Sequence, residues 1–409
     1  MEKELTAKKI LERLEVHGFQ AYFVGGFVRD KLLSREVNDI DIATDADPAQ
    51  VSRLFAKTIP TGIKHGTVTV ILSEIPYEVT TFRSEGKYLD HRRPSEVTYV
   101  ETIEEDLSRR DFTINAIAMD LAGKIIDPYA GQAALQERII AAVGSPDERF
   151  SEDPLRMLRA LRFAAQLDFF IADPTWKSII ANGEQLQNIA IERVKQELDK
   201  IMLSKNPERG IRLLFESKLI SFIKGLSSTG LPALDYQEIV KNIRQTDDVI
   251  LRWFSLFAQL ETAERTTVLK LLRFTKVEVE QFKKLTRVLD ILQEGNSTVI
   301  LKKALLTAAN LDYCLKAITF LRIIGDINQE EYQELATNLH SLYRSLPARN
   351  ITDLAIDGRE LIEYFAVSGG PWVRDVLEEL LKRVIFFDLP NEQKELLKYA
   401  KFIKKEVEK

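Results

Sequence analysis

The pattern of apolar and polar residues divides the chain into two parts with different secondary structure. From residue 20 to about residue 143, short β-branched and aromatic runs alternate with short helical patterns, which is typical of strands and helices in one mixed unit. The predicted strands are 21–24, 39–42, 67–71, 77–82 and 115–119, and the helices predicted between them are 27–33 and 48–55. This part is predicted to be a small mixed sheet with helices.

The second part carries a helical pattern from about residue 146 to the end. Apolar residues recur at three- and four-residue spacing, as at Leu155, Leu158 and Leu161, and this spacing predicts helices throughout. Breaks at 204–207, 295–297 and 346–347 indicate smaller subdivisions. The predicted fold class is therefore α+β, with an all-α second part.

Composition fits a globular protein of two or three packed units. The chain has 409 residues, of which 45% are apolar and 29% charged, an ordinary balance for such proteins. No apolar run has the length that crosses a bilayer, and the first residues have mixed charge rather than the pattern of a signal peptide. We expect a cytoplasmic protein with no membrane partner.

Cysteine and histidine content excludes several chemistries. Cys314 is the only cysteine, so a disulfide within the chain and a cysteine-based zinc cluster are excluded. The four histidines are scattered, which disfavours a histidine-rich metal hydrolase. The formal net charge of −5 gives no overall sign of nucleic-acid binding, but RNA responds to local basic surface rather than to the total.

Two aspartates in the predicted strand 39–42 are the first candidates for chemistry. Residues two apart on a strand share a face, so Asp39 and Asp41 point one way while Ile40 and Ile42 point into the core. Two carboxylates about 7 Å apart can hold Mg²⁺, which prefers oxygen ligands and usually binds substrate phosphates as well. The alternative is an ordinary strand with a solvated acidic face.

A glycine pair upstream strengthens the catalytic interpretation. Gly25 and Gly26 follow a strand and open a helix, where close backbone approach and free N–H groups suit a triphosphate, with Arg29 within reach. Glycine pairs are common in turns, so the order of glycines followed by an Asp-x-Asp strand is the stronger signal. Glu78 is a candidate third carboxylate, or an exposed strand glutamate.

These motifs together resemble the catalytic core of the DNA polymerase beta superfamily of nucleotidyltransferases. More closely, they resemble its class II branch of tRNA CCA-adding enzymes, A-adding enzymes and bacterial poly(A) polymerases. The resemblance spans about half the chain. It rests on Gly25-Gly26-x-x-Arg29-Asp30, Asp39-x-Asp41, 105–116, Glu152-Asp153-Pro-Leu-Arg156-Met-Leu-Arg159 and Ile191-Glu192-Arg193. The family commonly has Leu-Leu-Gly where this chain has Leu32-Leu33-Ser34, so that turn is made without glycine.

The resemblance implies an architecture and an activity. We expect a nucleotidyltransferase head at 1–145, a neck with the base-recognition helix at 146–205, a helical body at 206–295 and a tRNA-binding tail at 296–409, the last three forming an elongated all-α region. The implied reaction is Mg²⁺-dependent addition of CCA to the 3′ end of tRNA from CTP and ATP. A-adding enzymes and poly(A) polymerases share these motifs and remain alternatives, as does a non-catalytic or small-molecule nucleotidyltransferase-like protein.

Residue roles follow from the same resemblance. It assigns metal binding to Asp39 and Asp41, base recognition to Asp153 and Arg156, and nucleotide binding to a further group. In that group Glu152 orients Arg156, the ribose-recognising motif consists of Arg109, Arg110, Asp111 and Asn115, and Arg159 is a further nucleotide-binding residue. Arg193, outside the group, steadies the base-recognition helix. Asp90, Arg92 and Arg93 correspond to a flexible loop implicated in switching from C to A addition.

Without the resemblance, the same residues have simpler interpretations. Asp153 before Pro154 is a common helix start, and Arg109 with Arg110 is a plausible solvated helix end. The segment 64–67 is either a plain turn or part of the triphosphate or primer site.

Basic residues at helical spacing are candidates for contact with the tRNA acceptor stem and elbow. Arg156, Arg159 and Arg162 fall on one broad helix face, and a lysine stripe lies near the end of the chain at Lys394, Lys398, Lys401 and Lys405. Such a stripe is usually the solvated side of an amphipathic helix, but it also suits RNA phosphates. The sequence does not predict an oligomeric state.

Overall fold

The structure, a computed structural model, describes residues 2–37, 39–85 and 97–407. Of Lys64, Glu85, Val97 and residues 404–407 it describes the backbone alone. The predicted loop residues Asp90, Arg92 and Arg93 therefore lie outside the described residues.

The first part of the chain alternates short strands with short helices, as its polarity pattern predicts. The elements in chain order are α1 (Glu2–Val16), β1 (Ala21–Val24), α2 (Gly26–Leu32), β2 (Asp41–Thr44), α3 (Pro48–Leu54), β3 (Thr58–Gly62), β4 (Thr67–Leu72), β5 (Ile75–Thr81), β6 (Arg83–Glu85), β7 (Val97–Tyr99), α4 (Ile103–Ser108), β8 (Ala118–Met119), β9 (Ile125–Ile126), α5 (Gly131–Glu137) and β10 (Ile139–Ile140).

One mixed sheet organises this part. Within the described residues its strand order is β3-β4-β5-β2-β1-β8-β9, and β2 pairs with β5 in parallel while the other neighbours are antiparallel. Alternate residues of the central strands point into the core, as Ile42 and Val79 do at no more than 1% exposure. Val24, Ala43 and Phe82 pack in a buried cluster that includes Leu107 of α4. Because the successive residues Ile42 and Ala43 are both buried, the centre of the sheet is covered on both faces, and the strand ends are left to carry polar groups.

Helices dominate the second part. The elements are α6 (Pro146–Glu152), α7 (Leu155–Leu167), β11 (Phe170–Ile171), α8 (Asp173–Asn182), α9 (Ile191–Met202), α10 (Pro207–Glu216), α11 (Leu219–Phe222), α12 (Tyr236–Arg244), α13 (Val249–Phe257), α14 (Thr262–Leu271), α15 (Lys276–Gln293), α16 (Thr298–Ala308), α17 (Leu311–Ile324), α18 (Gln329–Ser345), α19 (Gly358–Phe365), α20 (Pro371–Phe386) and α21 (Gln393–Val407). The α+β fold class is confirmed. No single helix among these described residues is long and apolar enough to cross a membrane, although the bent pair α16 and α17 meets that test of length and composition together.

The chain separates into two compact units. The first contains residues 1–244 and 256–273, and the second contains residues 245–255 and 274–409. The predicted breaks at 295–297 and 346–347 fall between helices, and the break at 204–207 falls between α9 and the first residue of α10, Pro207. The four-part division into head, neck, body and tail stays a prediction.

Several elements differ from the sequence-based prediction, and strands β3, β6, β7, β9 and β10 and helices α1, α4 and α5 were not predicted. Strand β2 begins at Asp41 rather than at residue 39, because its neighbour β1 ends at Val24, the partner of Asp41, where Gly25 turns the chain. Residues 113–115 form a 3₁₀ turn, which leaves only Ala118–Met119 as a strand. The prediction that strands end before residue 146 was wrong at Phe170–Ile171, which pairs in parallel with β10.

Candidate active site

The turn between β1 and α2 depends on glycine. Gly25 has φ 66° and ψ −131°, a conformation that residues with a side chain rarely adopt. A Cβ atom there would lie 2.8 Å from Nη1 of Arg110 and 3.7 Å from Oδ2 of Asp41. The missing side chain therefore allows this backbone to lie directly against a cation and a carboxylate.

The aspartates predicted to bind metal lie beside this turn. Asp41 is the first residue of β2 and pairs with Val24 on one side and Glu78 on the other. Asp39 and Asp41 border the same cavity as the glycine turn, whereas Glu78 is an exposed neighbour on β5. Tyr77 and Val79 are buried on the opposite face of that strand, as the alternation predicts.

Burial and charge give Asp41 an unusual protonation equilibrium. Burial raises the pKa of Asp41 above its usual range, and the negative charges of Glu78 and Asp39 raise this pKa further, while the guanidinium of Arg110 opposes them. A cation placed between these carboxylates would relieve the cost of that buried charge.

The donor set fits Mg²⁺ that is shared with a substrate. Within the described residues, no three histidine, cysteine or carboxylate side chains lie close enough to form a complete protein metal site. Two aspartates are nevertheless the donors that Mg²⁺ commonly takes from a protein when substrate phosphates supply the rest. Asp41 lies beside the negative charges of Asp39 and Glu78, which raise its pKa together with burial, and a bound cation would neutralise this arrangement of charge.

A cavity of about 880 Å³ opens from these aspartates and has a strongly cationic wall. Its guanidinium groups come from both the sheet-containing part and the helices that follow it, among them Arg29, Arg110, Arg156, Arg159, Arg162 and Arg193. Asp111, Asn115 and Asp153 also line it. The sequence-predicted residues of the glycine turn, the aspartate pair and the base-recognition motif therefore meet in one place.

Asp111 links the two halves of the cavity wall. Its Oδ2 accepts from Nη2 of Arg159 at 2.6 Å, and its Oδ1 accepts from Nδ2 of Asn115 at 3.0 Å. The Oδ1 of Asn115 in turn accepts from Nη1 of Arg29 at 2.8 Å. These bonds join α2 to α7 through two buried side chains.

The same contacts fix the charge of Asp111. Burial alone would raise the pKa of its carboxyl, but the guanidinium of Arg159 and the amide of Asn115 outweigh burial and hold that pKa well below its usual range. Asp111 and Asn115, predicted to contact the ribose, thus have protein partners in this structure.

Asp106 is a functional-site residue that sequence reasoning left without a role. It is 1% exposed and pairs with Nη2 of Arg109 at 2.8 Å and with Nη2 of Arg110 at 3.2 Å. The sequence spacing could have indicated these pairs, because Arg109 and Arg110 follow Asp106 by three and four residues, and residues at these spacings are neighbours on a helix. Asp106 keeps two adjacent cations in place at the edge of the cavity.

The Asp153–Arg156 motif, predicted to recognise the base, is held by an ion pair at each of these two residues. Nη1 of Arg156 donates to Oε2 of Glu152 at 2.6 Å, and Nη2 donates to the carbonyl oxygen of Arg109 at 3.0 Å. Asp153 accepts from the backbone N–H of Leu155 at 3.1 Å and from Nη2 of Arg193 at 2.8 Å. Asp153 thus serves as a helix-start acceptor and also faces the cavity.

Three arginines of the cavity wall lie against the aromatic ring of Phe163. The guanidinium carbons of Arg29, Arg159 and Arg162 lie 5.1, 5.5 and 4.0 Å from the ring centroid of Phe163. Nε of Arg162 also pairs with Oε2 of Glu197 on α9 at 2.5 Å. Phe163 and Glu197 were missed, because an aromatic residue and a glutamate within helical patterns look like ordinary core and surface positions.

The predicted RNA-binding lysines lie on α21. Lys394, Lys398 and Lys401 are exposed, with Nζ of Lys398 3.8 Å from Glu395 and Nζ of Lys401 5.2 Å from the ring centroid of Tyr364. The side chain of Lys405 lies outside the described part of the chain. The exposed lysines are available for contact with a polyanion.

Family models match three successive segments of the chain. Residues 21–141 match the poly A polymerase head domain, residues 168–228 match a probable RNA and SrmB-binding site of polymerase A, and residues 244–400 match a putative tRNA nucleotidyltransferase domain 2. Together with the geometry of the cavity, these matches define the chain as a nucleotidyltransferase.

Relatives that align over almost the whole chain identify a particular family of nucleotidyltransferases. The CCA-adding enzyme of Geobacillus sp. (strain WCH70) is 40% identical over 95% of this chain and 94% of its own. That of Anoxybacillus flavithermus (strain DSM 21510 / WK1) is 40% identical over 96% of each chain. The crystal structure of the Bacillus stearothermophilus CCA-adding enzyme in complex with CTP superposes with a TM-score of 0.80 at 32% identity, covering 99% of this chain and 98% of that chain. The chain belongs to the CCA-adding enzyme family.

Proposed function

We propose that this chain rebuilds the CCA end of tRNA from CTP and ATP without a nucleic-acid template. The observation that carries the proposal is a single cavity in which Asp39 and Asp41 face a wall of arginines that includes the Asp153–Arg156 motif. In the reaction, the 3′-hydroxyl of the RNA attacks the α-phosphorus of the nucleotide. A P–O bond forms to the RNA, the bond to the pyrophosphate leaving group breaks, and no side-chain nucleophile is needed.

Asp39 and Asp41 are proposed to hold Mg²⁺, with Glu78 as a third catalytic carboxylate. When bound, Mg²⁺ neutralises the triphosphate and activates the attacking hydroxyl. Gly25 and Gly26 let the triphosphate approach the backbone, because the turn has no side chain on that side.

The cationic wall orients the nucleotide. Arg29, Arg110 and Arg159 are proposed to surround its phosphates and ribose, with Asp111 and Asn115 keeping these cations in position or exchanging a bond for a ribose hydroxyl.

Asp153 and Arg156 are proposed to select the base. Cytosine and adenine each present an exocyclic amine donor beside a ring-nitrogen acceptor, so a carboxylate acceptor and a guanidinium donor pair with either base. Uracil and guanine present the reverse pattern and would leave buried groups unpaired. Glu152 orients Arg156 through their ion pair, and Arg193 steadies Asp153 in the same way.

The remaining proposals rest on the sequence and on the family resemblance. The loop residues Asp90, Arg92 and Arg93 are proposed for the switch from C to A addition. The exposed lysines of α21 are proposed to contact the tRNA, whose acceptor stem and elbow are the expected contact regions. We expect this reaction to take place in the cytoplasm.

The test is nucleotide addition to three RNA substrates in the presence of Mg²⁺. The protein is incubated with tRNA that ends before CCA, with tRNA that ends at CC, and with mature tRNA. We expect two CTP-derived residues and one ATP-derived residue on the first, one ATP-derived residue on the second, and none on the third. Addition of ATP to CC-ending tRNA alone would indicate an A-adding enzyme, and long A tracts would indicate a poly(A) polymerase.

Loss of either metal-binding aspartate tests the mechanism. Asp39→Ala and Asp41→Ala are each expected to lower kcat by at least about a thousandfold, since each removes charge stabilisation from the transferring phosphoryl group. Kinetics on CC-ending tRNA with ATP measures this effect, and circular dichroism checks that the variants fold. Retention of wild-type kcat in either variant would refute the proposed site.

A further inference from the structure

A second cavity of about 480 Å³ borders the same two aspartates. Apart from Asp39 and Asp41, its wall comes from Lys3 of α1, Thr69 of β4 and residues 75–78 of β5. Its volume lies within the range of about 300–1,000 Å³ that is usual for small-ligand sites. Apart from the carboxylates Asp39, Asp41 and Glu78, no residue that lines this cavity has a role in the function proposed above.

The cavity arises from unequal strand lengths. Strand β5 pairs with β4 along its length, from Ile75 to Thr80, but its pairing with β2 starts only where Glu78 meets Asp41. Residues 75–77 of β5 thus extend beyond the start of β2, and Asp39 and Ile40 lead past the resulting notch. The late start of β2, which the sequence did not predict, therefore creates a recess next to the proposed metal ligands.

The two cavities differ in chemistry. The larger one is walled by arginines and suits a triphosphate, whereas Lys3 is the cation that lines the smaller one in the described part of the chain. Ile40, Ile75, Pro76 and Tyr77 give the smaller cavity an apolar wall, and Glu78 adds an exposed carboxylate. This combination suits a nucleoside with a single phosphodiester better than it suits a triphosphate.

Reaction geometry requires two binding sites that meet at the metal ligands. In phosphoryl transfer the attacking and leaving oxygens lie roughly in line across the phosphorus, so the acceptor must approach from the side opposite the pyrophosphate. Asp39 and Asp41 line both cavities and stand where the two meet. If the triphosphate occupies the arginine-walled cavity, the 3′ end of the RNA acceptor must occupy the smaller cavity beside β5, which we call the notch.

We propose that the notch is the binding site for the 3′-terminal nucleoside of the RNA acceptor. Ile75 and Pro76 contact its base or sugar, Glu78 lies on the side of the attacking hydroxyl, and Lys3 faces the phosphodiester that precedes the terminal nucleoside. This assignment rests on the proposed function, because it takes RNA as the second substrate.

Filling the notch is the first test. Ile75 is half-buried in its wall, so Ile75→Trp is expected to raise KM for CC-ending tRNA at least tenfold. The Kd of CTP, measured by calorimetry without RNA, is expected to stay within twofold. The control is Ile180→Trp on α8, which places the same side chain at a 48% exposed isoleucine that lines neither cavity. An unchanged KM for tRNA in Ile75→Trp, or equal losses of CTP and tRNA binding, would overturn the assignment.

Photocrosslinking tests the same assignment on the unaltered protein and needs no variant to fold. The probe is CC-ending tRNA whose 3′-terminal cytidine is replaced by 5-azidocytidine, with the crosslinked peptide identified by mass spectrometry. We expect attachment within residues 75–78 or at Lys3, and attachment confined to other peptides would overturn the proposal. If the wild-type protein adds no nucleotide to any tRNA, the proposed function itself is wrong. If addition proceeds and the crosslink lies elsewhere, only the notch assignment is wrong.

Discussion

Two aspartates that line one cavity have pKa values that are shifted in opposite directions. Burial raises the pKa of Asp41, and Asp39 and Glu78 add to that rise. Burial acts the same way on Asp111, but Arg159 and Asn115 outweigh it and lower the pKa. The two aspartates differ in their partners. Arg159 forms an ion pair with Asp111 that outweighs burial, whereas the nearby Arg110 does not outweigh the burial of Asp41. We infer that Asp111 holds the arginines of the cavity in position, whereas Asp41 is suited to bind a cation.

Replacement of Asp111 by asparagine is expected to cost stability in a pH-dependent way. Asp111→Asn leaves Arg159 without its carboxylate. Breaking a fully buried pair typically costs about 3–5 kcal/mol in the free energy of unfolding at pH 7, and because the side chain of Arg159 is 32% exposed we expect a loss at the lower end of that range. Because the folded pKa is depressed, the contribution of Asp111 is complete above the pKa of an unfolded aspartate, about 3.9, and is lost as the pH falls toward the folded pKa. The difference between wild type and variant should therefore shrink below about pH 4.

Urea unfolding between pH 3 and pH 7 measures this difference. The matched control is Asp168→Asn, which breaks an ion pair of 2.9 Å with Arg209 in which Asp168 is 52% exposed. Exposed pairs contribute about 0–1 kcal/mol, so the control should change stability little at any pH. A loss for Asp111→Asn that is constant over this pH range would contradict the assigned cause.

For helices and strands, the sequence predicted where an element lies better than it predicted the residues at which the element begins and ends. The strand at 21–24 and the helix at 48–55 were found within one residue, because turn residues and a helix cap define them locally. The start of β2 and the 3₁₀ turn at 113–115 were missed. The first is set by where β1 ends and the second by contacts of buried residues far apart in sequence, and neither is visible in a local pattern.

The same distinction applies to the candidate site. Asp39, Asp41 and the Asp153–Arg156 motif could be predicted because they are local and match a known family pattern. Asp106, Phe163 and Glu197 could not be assigned, since their importance depends on which arginines the fold brings to them. The notch beside β5 was likewise invisible, because it follows from strand pairing rather than from residue type.

Ser34 ends α2 at a cost that glycine would remove. It has φ 53°, in the left-handed region, at the position where the family commonly has glycine. This conformation costs a residue with a side chain roughly 1–2 kcal/mol, partly offset by the greater freedom of glycine in the unfolded chain. Ser34→Gly is therefore expected to raise the free energy of unfolding by about 0.5–1 kcal/mol, with unchanged kcat because Ser34 lines neither cavity.

Chemical unfolding of both Ser34→Gly and an opposite-sign control tests this prediction. Ser52 lies within α3, where glycine costs about 1 kcal/mol relative to good helix formers, so Ser52→Gly should destabilise the protein. If Ser34→Gly also destabilises it, the left-handed conformation at this turn is not what limits stability there.

On the scale of the whole molecule, the chemistry and the exposed lysine stripe belong to different compact units. The aspartates, the arginine wall and the notch lie within the unit formed by residues 1–244 and 256–273. Helix α21 lies in the unit formed by residues 245–255 and 274–409. A formal net charge of −5 shows why the total was uninformative, since local cationic groups occur in each unit while acidic residues elsewhere cancel them.

The lysines of α21 provide the test of RNA binding by the second unit. The triple variant Lys394→Ala, Lys398→Ala and Lys401→Ala removes three exposed charges. If each contacts a phosphate, the slope of log Kd for tRNA against log salt concentration should fall by about two to three, because each contact releases roughly one counterion. Filter binding at several salt concentrations measures the slope, and kcat at saturating tRNA should change little because these residues are remote in sequence from the aspartate pair and line neither cavity.

A control with the same change in net charge separates phosphate contact from general electrostatics. Lys276, Lys283 and Lys382 lie on α15 and α20 of the same unit, and Lys283 and Lys382 have their own acidic partners at 2.9 and 3.3 Å. Their replacement by alanine lowers the net charge equally, so long-range attraction of tRNA weakens equally in both triple variants. A local interface requires that the α21 variant lose more affinity and more salt dependence than the control. Equal losses would mean that α21 presents only a solvated helix face, the simpler interpretation that its lysine spacing allows.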